Sequence, residues 1–268
     1  MLFRSSFEHI TYARGTNTNK HFYKIGTGDG EKRHLGFTGN RSSQQSFTGT
    51  RRTDHQNTAR DLATQFLELS AGRLDSVGLS PMQYSRLFET KDVLRNNFNR
   101  YKYLDFVYTY LGFNLKRKPF DDLLVRKAIA YAIDRQEILD GVQLGLGQTI
   151  ASPYKPGTFW VNESLKPRPF DPVQARALLA EAGWIDSDGD GIVDKDGKPL
   201  SFTVLTNNGN KQRADAATIM QQRLKKVGID IKVRLVEWSA FIQNFINKRN
   251  FDAVILGWSL SPDPDQYT

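Results

Sequence analysis

Apolar positions along this chain fall into two regimes that meet near residue 60. From residue 61 onward they recur with clear periods. Val125, Ala128, Ile129, Ala132 and Ile133 form a helical stripe behind Asp121 and Asp122, either of which suits the N-cap. Asp134 and Glu137 then read as a capping box for a further helical turn, Gln136 to Leu139. Asp171-Pro172 opens another helix, with Ala175, Leu178, Leu179 and Ala182 on one face and Gly183 beyond its end. Leu62 to Leu69 gives a shorter helix, stopped at Ala71-Gly72.

The last part of the chain carries the topology. Phe202 to Thr206 reads as a buried strand, and Lys211 to Val227 as a helix with Ala217, Met220, Leu224 and Val227 inward. Ile229, Ile231, Val233 and Leu235 alternate with Asp230, Lys232 and Arg234, the period of a half-buried strand. Strand, helix and strand with short connections predict a parallel βαβ unit. A helix over Ser239 to Asn247 and a buried strand over Phe251 to Gly257 follow. The fold class is therefore α/β.

Before residue 60 neither period can be drawn. From Glu31 to Arg60 the larger apolar residues are Leu35, Phe37 and Phe47, set among Ser, Thr, Arg, Gln and Gly. Such a composition buries too little surface to offset chain entropy, so residues 1–60 are expected to be largely irregular. His9, His21, His34 and His55 all lie here, and no two have the i, i+3 or i, i+4 spacing of metal ligands on one helix.

Charge changes the picture less than its total suggests. The net charge is +8, but residues 1–60 hold ten Lys/Arg against four Asp/Glu, while 61–268 hold 27 against 25. The excess sits in the aperiodic stretch, which weakens a nucleic-acid reading. With no cysteine, disulfides and thiolate chemistry are excluded. No apolar run reaches the roughly 20 residues that cross a bilayer, and MLFRSSFEHI holds no apolar core of a secretory signal. Catalytic signatures are missing too: there is no G-x-S-x-G, no H-E-x-x-H and no histidine after His55.

Two stretches point to ligands. Asp186, Asp188, Asp190 and Asp194 alternate through an Asp/Gly-rich loop in the manner of Ca²⁺ ligands, yet the position of the usual twelfth, bidentate Glu is Gly197. A hairpin loop stable without metal is the favoured reading, with Ca²⁺ as the alternative. Tyr101, Tyr103, Phe106, Tyr108, Tyr110 and Phe113 crowd into YKYLDFVYTYLGFN. Alternating aromatics of this kind can stack bases, but a strand packed between core and cleft is favoured.

The run KPFDDLLVRKAIAYAIDRQEIL closely resembles the helix signature of the extracellular solute-binding proteins of ABC importers, in the subgroup (family 5) that carries oligopeptides, dipeptides and nickel complexes. DLATQFLELSAGRLDSVGLSP resembles that family's helix-then-strand segment, and FDPVQARALLAEAGWIDSDGDGIVDKDGKPLSFTVLT its helix, turn and strand. QQRLKKVGIDIKVRLVEWSAFIQNFINKRNFDAVILGWSLSPDPD resembles its closing βαβ region. The resemblance covers 61–268. It implies a type II periplasmic-binding-protein-like lobe of mixed sheet with flanking helices, truncated at its carboxyl end.

By the same resemblance the function is that of a non-enzymatic receptor, periplasmic or cell-surface. It would hold a peptide or small polar solute in an interlobe cleft and pass it to ABC permease subunits in the membrane, with no cofactor beyond the Ca²⁺ alternative and no nucleic acid. The alternatives are a basic nucleic-acid-binding protein and a carboxylate-dependent hydrolase. Tyr110, Asn114 and Trp258 become cleft candidates, with core or hinge packing as the competing reading. Relatives that bind peptides hold the amino terminus with an aspartate just after a G-W pair. Here Gly257-Trp258 is followed by Ser261 at that spot, with Asp263 and Asp265 a little further on. Residues 1–60 look like a remnant of the first lobe and hinge. Its G-T-G lead-in survives at Gly26-Thr27-Gly28, and a reading-frame slip beyond it would account for lost pattern at kept length.

Overall fold

The computed structural model describes residues 2–5, 58–88 and 90–260. The Arg/Ser/Thr-rich stretch and its histidines lie outside them, as do Ser261, Asp263 and Asp265. The chain order is β1 (Leu2–Ser5), α1 (Thr58–Ser70), α2 (Asp92–Asn97), β2 (Val107–Phe113), α3 (Leu123–Ala132), α4 (Arg135–Gln143) and β3 (Gly147–Thr149). It continues through α5 (Pro172–Glu181), β4 (Asp194–Lys195), β5 (Lys198–Pro199), β6 (Ser201–Asn207) and α6 (Lys211–Lys225). Last come β7 (Asp230–Val236), α7 (Trp238–Ala240), which runs on into a π-helical turn over Phe241–Ile246, and β8 (Ala253–Ser259). Of the 1–60 segment expected to be irregular, Leu2–Ser5 pairs as a strand and α1 already begins at Thr58.

The caps select the helices. Asp122, not Asp121, caps α3, its Oδ1 accepting from the Leu124 amide at 2.7 Å. Asp171 accepts from the amides of Val173 and Gln174 at the start of α5. Asp134 caps α4 through the Glu137 amide, and the helix runs on to Gln143, well past Leu139. The capping box is only half made, because the Glu137 carboxylate turns away to Arg223 on α6. Gly72, at φ +72°, ends α1 in a Schellman arrangement: its amide bonds to Leu69 O and the Arg73 amide to Glu68 O.

Six strands form one sheet in the order β3-β1-β2-β8-β6-β7. β6 is parallel to both β7 and β8, while β2 is antiparallel to β8. The βαβ unit expected from periodicity is β6-α6-β7. Alternation along β7 breaks at its end, where Leu235 is 47% exposed and Val236 is buried. One sheet face packs on α3, α5 and α6 through Leu111, Phe202, Val204, Ile255, Ile129, Leu179 and Met220. The other carries Leu205, Val254 and Leu256 against Phe241.

Residues 58–98 keep a small core of their own, from Phe66 and Leu69 to Leu94 and Phe98. The strand implied for the end of DLATQFLELSAGRLDSVGLSP does not form. Val77 and Leu79 instead bury in this small core without strand partners.

Candidate functional site at the carboxyl ends of the parallel strands

Because β6 and β8 run together and β2 runs against them, one edge of the sheet gathers the ends of β6 and β8 and the start of β2. In open α/β sheets this is where ligands bind, since loops leave the strands there and helix N-termini point toward the edge. Tyr108 pairs in register with Trp258, and Tyr110 with Leu256. Partners directly opposite share a face, so the two tyrosines and Trp258 lie together. Tyr108 is buried, packed with Ile150 and Leu260, and its ring stands 5.9 Å from that of Tyr110. Tyr110 is half-buried, and Trp258 keeps 48% of its surface exposed. The Leu260 amide donates to Phe106 O at 2.7 Å, and Lys155 lies over the Phe106 ring at 4.6 Å.

The polar part of this edge comes from the β6–α6 turn. Thr206 and Asn207 are buried, and the Thr206 hydroxyl donates to Ile255 O, tying β6 to β8. Asn210 caps α6 by accepting from the Arg213 amide, and Arg213 Nη1 donates to Asn207 Oδ1 at 2.8 Å. The guanidinium lies over Gly257, so close that a Cβ built there would stand 2.6 Å from Nη2. Burial pushes its pKa down to about 10, an effect that the Tyr110 hydroxyl partly offsets, and the charge is kept at neutral pH. Among the described residues no carboxylate pairs with it. A desolvated cation held by a neutral amide is half-satisfied, and an anion arriving from solvent would complete it.

The sequence-predicted residues divide. Tyr110 and Trp258 come together at this edge. Asn114 does not: it lies past the other end of β2, roughly 20 Å along the strand from Tyr108. Its Nδ2 donates to Arg249 O at 2.9 Å and Phe251 O at 3.0 Å, which is a structural tie. The resemblance grouped it with Tyr110 in YLGFN without saying at which end of the strand it lies. Arg213 and Asn207 were missed, although a cation in the first turn of a helix works against the macrodipole and was a readable signal.

The acidic loop folds around its own backbone. Asp186 accepts from the Gly189 and Gly191 amides, Asp188 from that of Asp190, and Asp190 from that of Ile192. One carboxylate oxygen from each of Asp186, Asp188 and Asp190 lies within 4.8 Å of the others. Asp194 stands outside this group. Its carboxylate accepts from the Ser187 amide and hydroxyl, bonds that hold its pKa below the usual value.

The profile of the bacterial extracellular solute-binding proteins, family 5 (middle), matches residues 56–268. The chain is 45% identical over 164 residues to the oligopeptide-binding protein AppA of Bacillus subtilis, covering 60% of this chain and 30% of that protein. It is 34% identical over 160 residues to di/tripeptide-binding protein 1 of Pseudomonas aeruginosa, covering 59% and 28%. The solved structure of Bacillus subtilis AppA with a nonapeptide superposes with a TM-score of 0.66 at 38% identity, over 77% of this chain and 40% of that one. The chain thus spans 30% or less of the length of these curated relatives.

Proposed function

The chain belongs to the bacterial extracellular solute-binding proteins of family 5, and on that premise we propose that it supplies one wall of the solute cleft of an ABC-importer receptor. The solute is a peptide or a similar small polar molecule, and the receptor's downstream partners are permease subunits in the membrane. One observation supports the solute class most: Arg213, desolvated and lacking a carboxylate partner among the described residues, lies over Gly257 at the strand ends, one residue before the exposed Trp258. A peptide offers what such a wall lacks, an anionic carboxylate for the guanidinium and apolar side chains for the indole. Backbone amides at the edge supply the remaining hydrogen bonds, and closure against an opposite wall would exclude water.

The role is physical capture rather than turnover. The relatives named above carry the names of peptide-binding proteins, and none lends support to the nucleic-acid or hydrolase readings. No described helix is long and apolar enough to cross a membrane. Titration with di- to pentapeptides, followed by tryptophan fluorescence, tests the reading against the same peptides with amidated carboxyl ends. The free-acid peptides should quench or shift the signal, the amides much less, and Trp258→Phe should remove the response. Equal responses from acids and amides would count against the carboxylate role. High salt should change capture only modestly, whereas a nucleic-acid partner would be shed steeply.

A further inference from the structure

We propose that Asn208-Gly209 is a spontaneous deamidation site, whose conversion places a carboxylate in the loop that grips Arg213. It is the one Asn-Gly pair in the sequence. Both residues are exposed, and the Gly209 amide nitrogen already faces the Asn208 side chain, 2.8 Å from Oδ1. The carbonyl carbon lies one bond further on, so the two reacting groups start as neighbours. Gly209 stands at φ +85° with nothing within 4 Å of where a Cβ would be, leaving both the attack and an incoming water unobstructed.

The chemistry is closed within the loop and solvent. The Gly209 nitrogen loses its proton to water and attacks Asn208 Cγ, forming a C–N bond. The side-chain nitrogen departs as ammonia, leaving a succinimide. Water then opens either ring carbonyl, giving aspartate or isoaspartate. No oxidant or reductant is needed.

The consequence follows from what the loop holds. Asn207 takes Arg213 Nη1 on one side, and Asn210 takes the Arg213 amide on the other. A charge at Asn208 falls between them in the chain, beside a cation that no carboxylate among the described residues pairs with. Isoaspartate also adds a methylene to the backbone between those two contacts. Either product satisfies or displaces the guanidinium and lowers its hold on a solute anion, a consequence that rests on the function proposed above.

The experiment keeps the two parts separate. The full chain is aged in mildly alkaline buffer and peptide-mapped by mass spectrometry, with isoaspartate detected by enzymatic methylation. Asn208 should gain acid mass before any other asparagine, and Asn208→Gln should abolish that signal. Deamidation first at another asparagine, or an intact Asn208 after the others have converted, would overturn the site. Independently of any solute, Asn208→Asp should displace the Arg213 Nε–H resonance in an NMR spectrum while leaving that of Arg117 in place. An unmoved Arg213 resonance would overturn the coupling. Peptide capture by Asn208→Asp should then be about tenfold weaker than by the unaltered chain.

Discussion

At one end of the central sheet Arg117 gives Nη1 to Asp252 and Nη2 to Asn250, both at 2.7 Å, while the second Asp252 oxygen accepts from the Thr203 amide. At the other end Arg213 has one neutral acceptor, Asn207. Both ends use an arginine and short polar residues to finish strands. The first end is saturated: Asn114 adds three further bonds to the turn before β8, through its amide and its side chain. At the second end no carboxylate among the described residues answers the guanidinium. A saturated polar cluster positions the chain, whereas one whose described members include no carboxylate is available to an anionic ligand.

The largest effect should come from the saturated end. Phe120 is fully buried, stacked on Phe113 at 4.8 Å and edge-on to Phe202 at 4.9 Å. Phe120→Ala should cost about 3–5 kcal/mol in denaturant unfolding, through lost transfer energy and the cavity left behind. Asp252→Ala comes next. It leaves the Thr203 amide without its acceptor and Arg117 with Asn250 alone, and should cost about 1–3 kcal/mol. Its effect on peptide capture should be nil. A variant that keeps its stability but loses capture would mean that the two ends had been assigned the wrong way round.

Arg213→Met should behave in the opposite sense. Removing a desolvated charge relieves its penalty while methionine keeps the volume, so stability should change by less than about 1 kcal/mol. Capture of free-acid peptides should fall to the level of the amides. Smaller still is the tie between α4 and α6. The hydrogen bonds from Arg223 hold the Glu137 pKa below its ordinary 4.5. A depressed carboxylate stabilises the fold above its unfolded pKa, and that share is lost as pH falls through the folded value. Glu137→Gln should therefore cost at most about 1 kcal/mol at neutral pH, shrinking in acid. Least of all, millimolar Ca²⁺ should move the melting temperature little, because the acidic loop lacks its twelfth ligand and Asp194 is turned to Ser187. A rise abolished by Asp188→Ala would restore calcium to that loop.

How far the sequence could be read depended on whether the cause was local. The N-caps at Asp134 and Asp171, the stripe on α3 and the β6-α6-β7 unit follow from residues within a few positions of one another, and they stand as expected. Glu137 escaped because its partner Arg223 is 86 residues away. The break at Leu235 and Val236 arises because Val236, still paired with Asn207, buries on the opposite sheet face with Leu205 and Phe241, a fact of tertiary packing that a period-2 pattern does not carry. At the site the aromatic members were legible through YLGFN and G-W. Asn114 was grouped with them although it lies at the opposite end of β2, because a strand pattern has no direction relative to its sheet until the pairing with β8 is known. Arg213 and Asn207 lay in a turn that had been read only for its helix.

The measurement that bears most directly on the contrast between the two ends is amide chemical-shift mapping of the whole chain against a di- to pentapeptide mixture at millimolar concentration. Shifts should cluster at 107–110, at 207–213 and at 257–260, and should spare Asn114 and residues 249–252. Perturbations centred on Asn114, Arg117 and Asp252, with Arg213 and Trp258 unmoved, would contradict the assignment of the open end as the solute-binding wall.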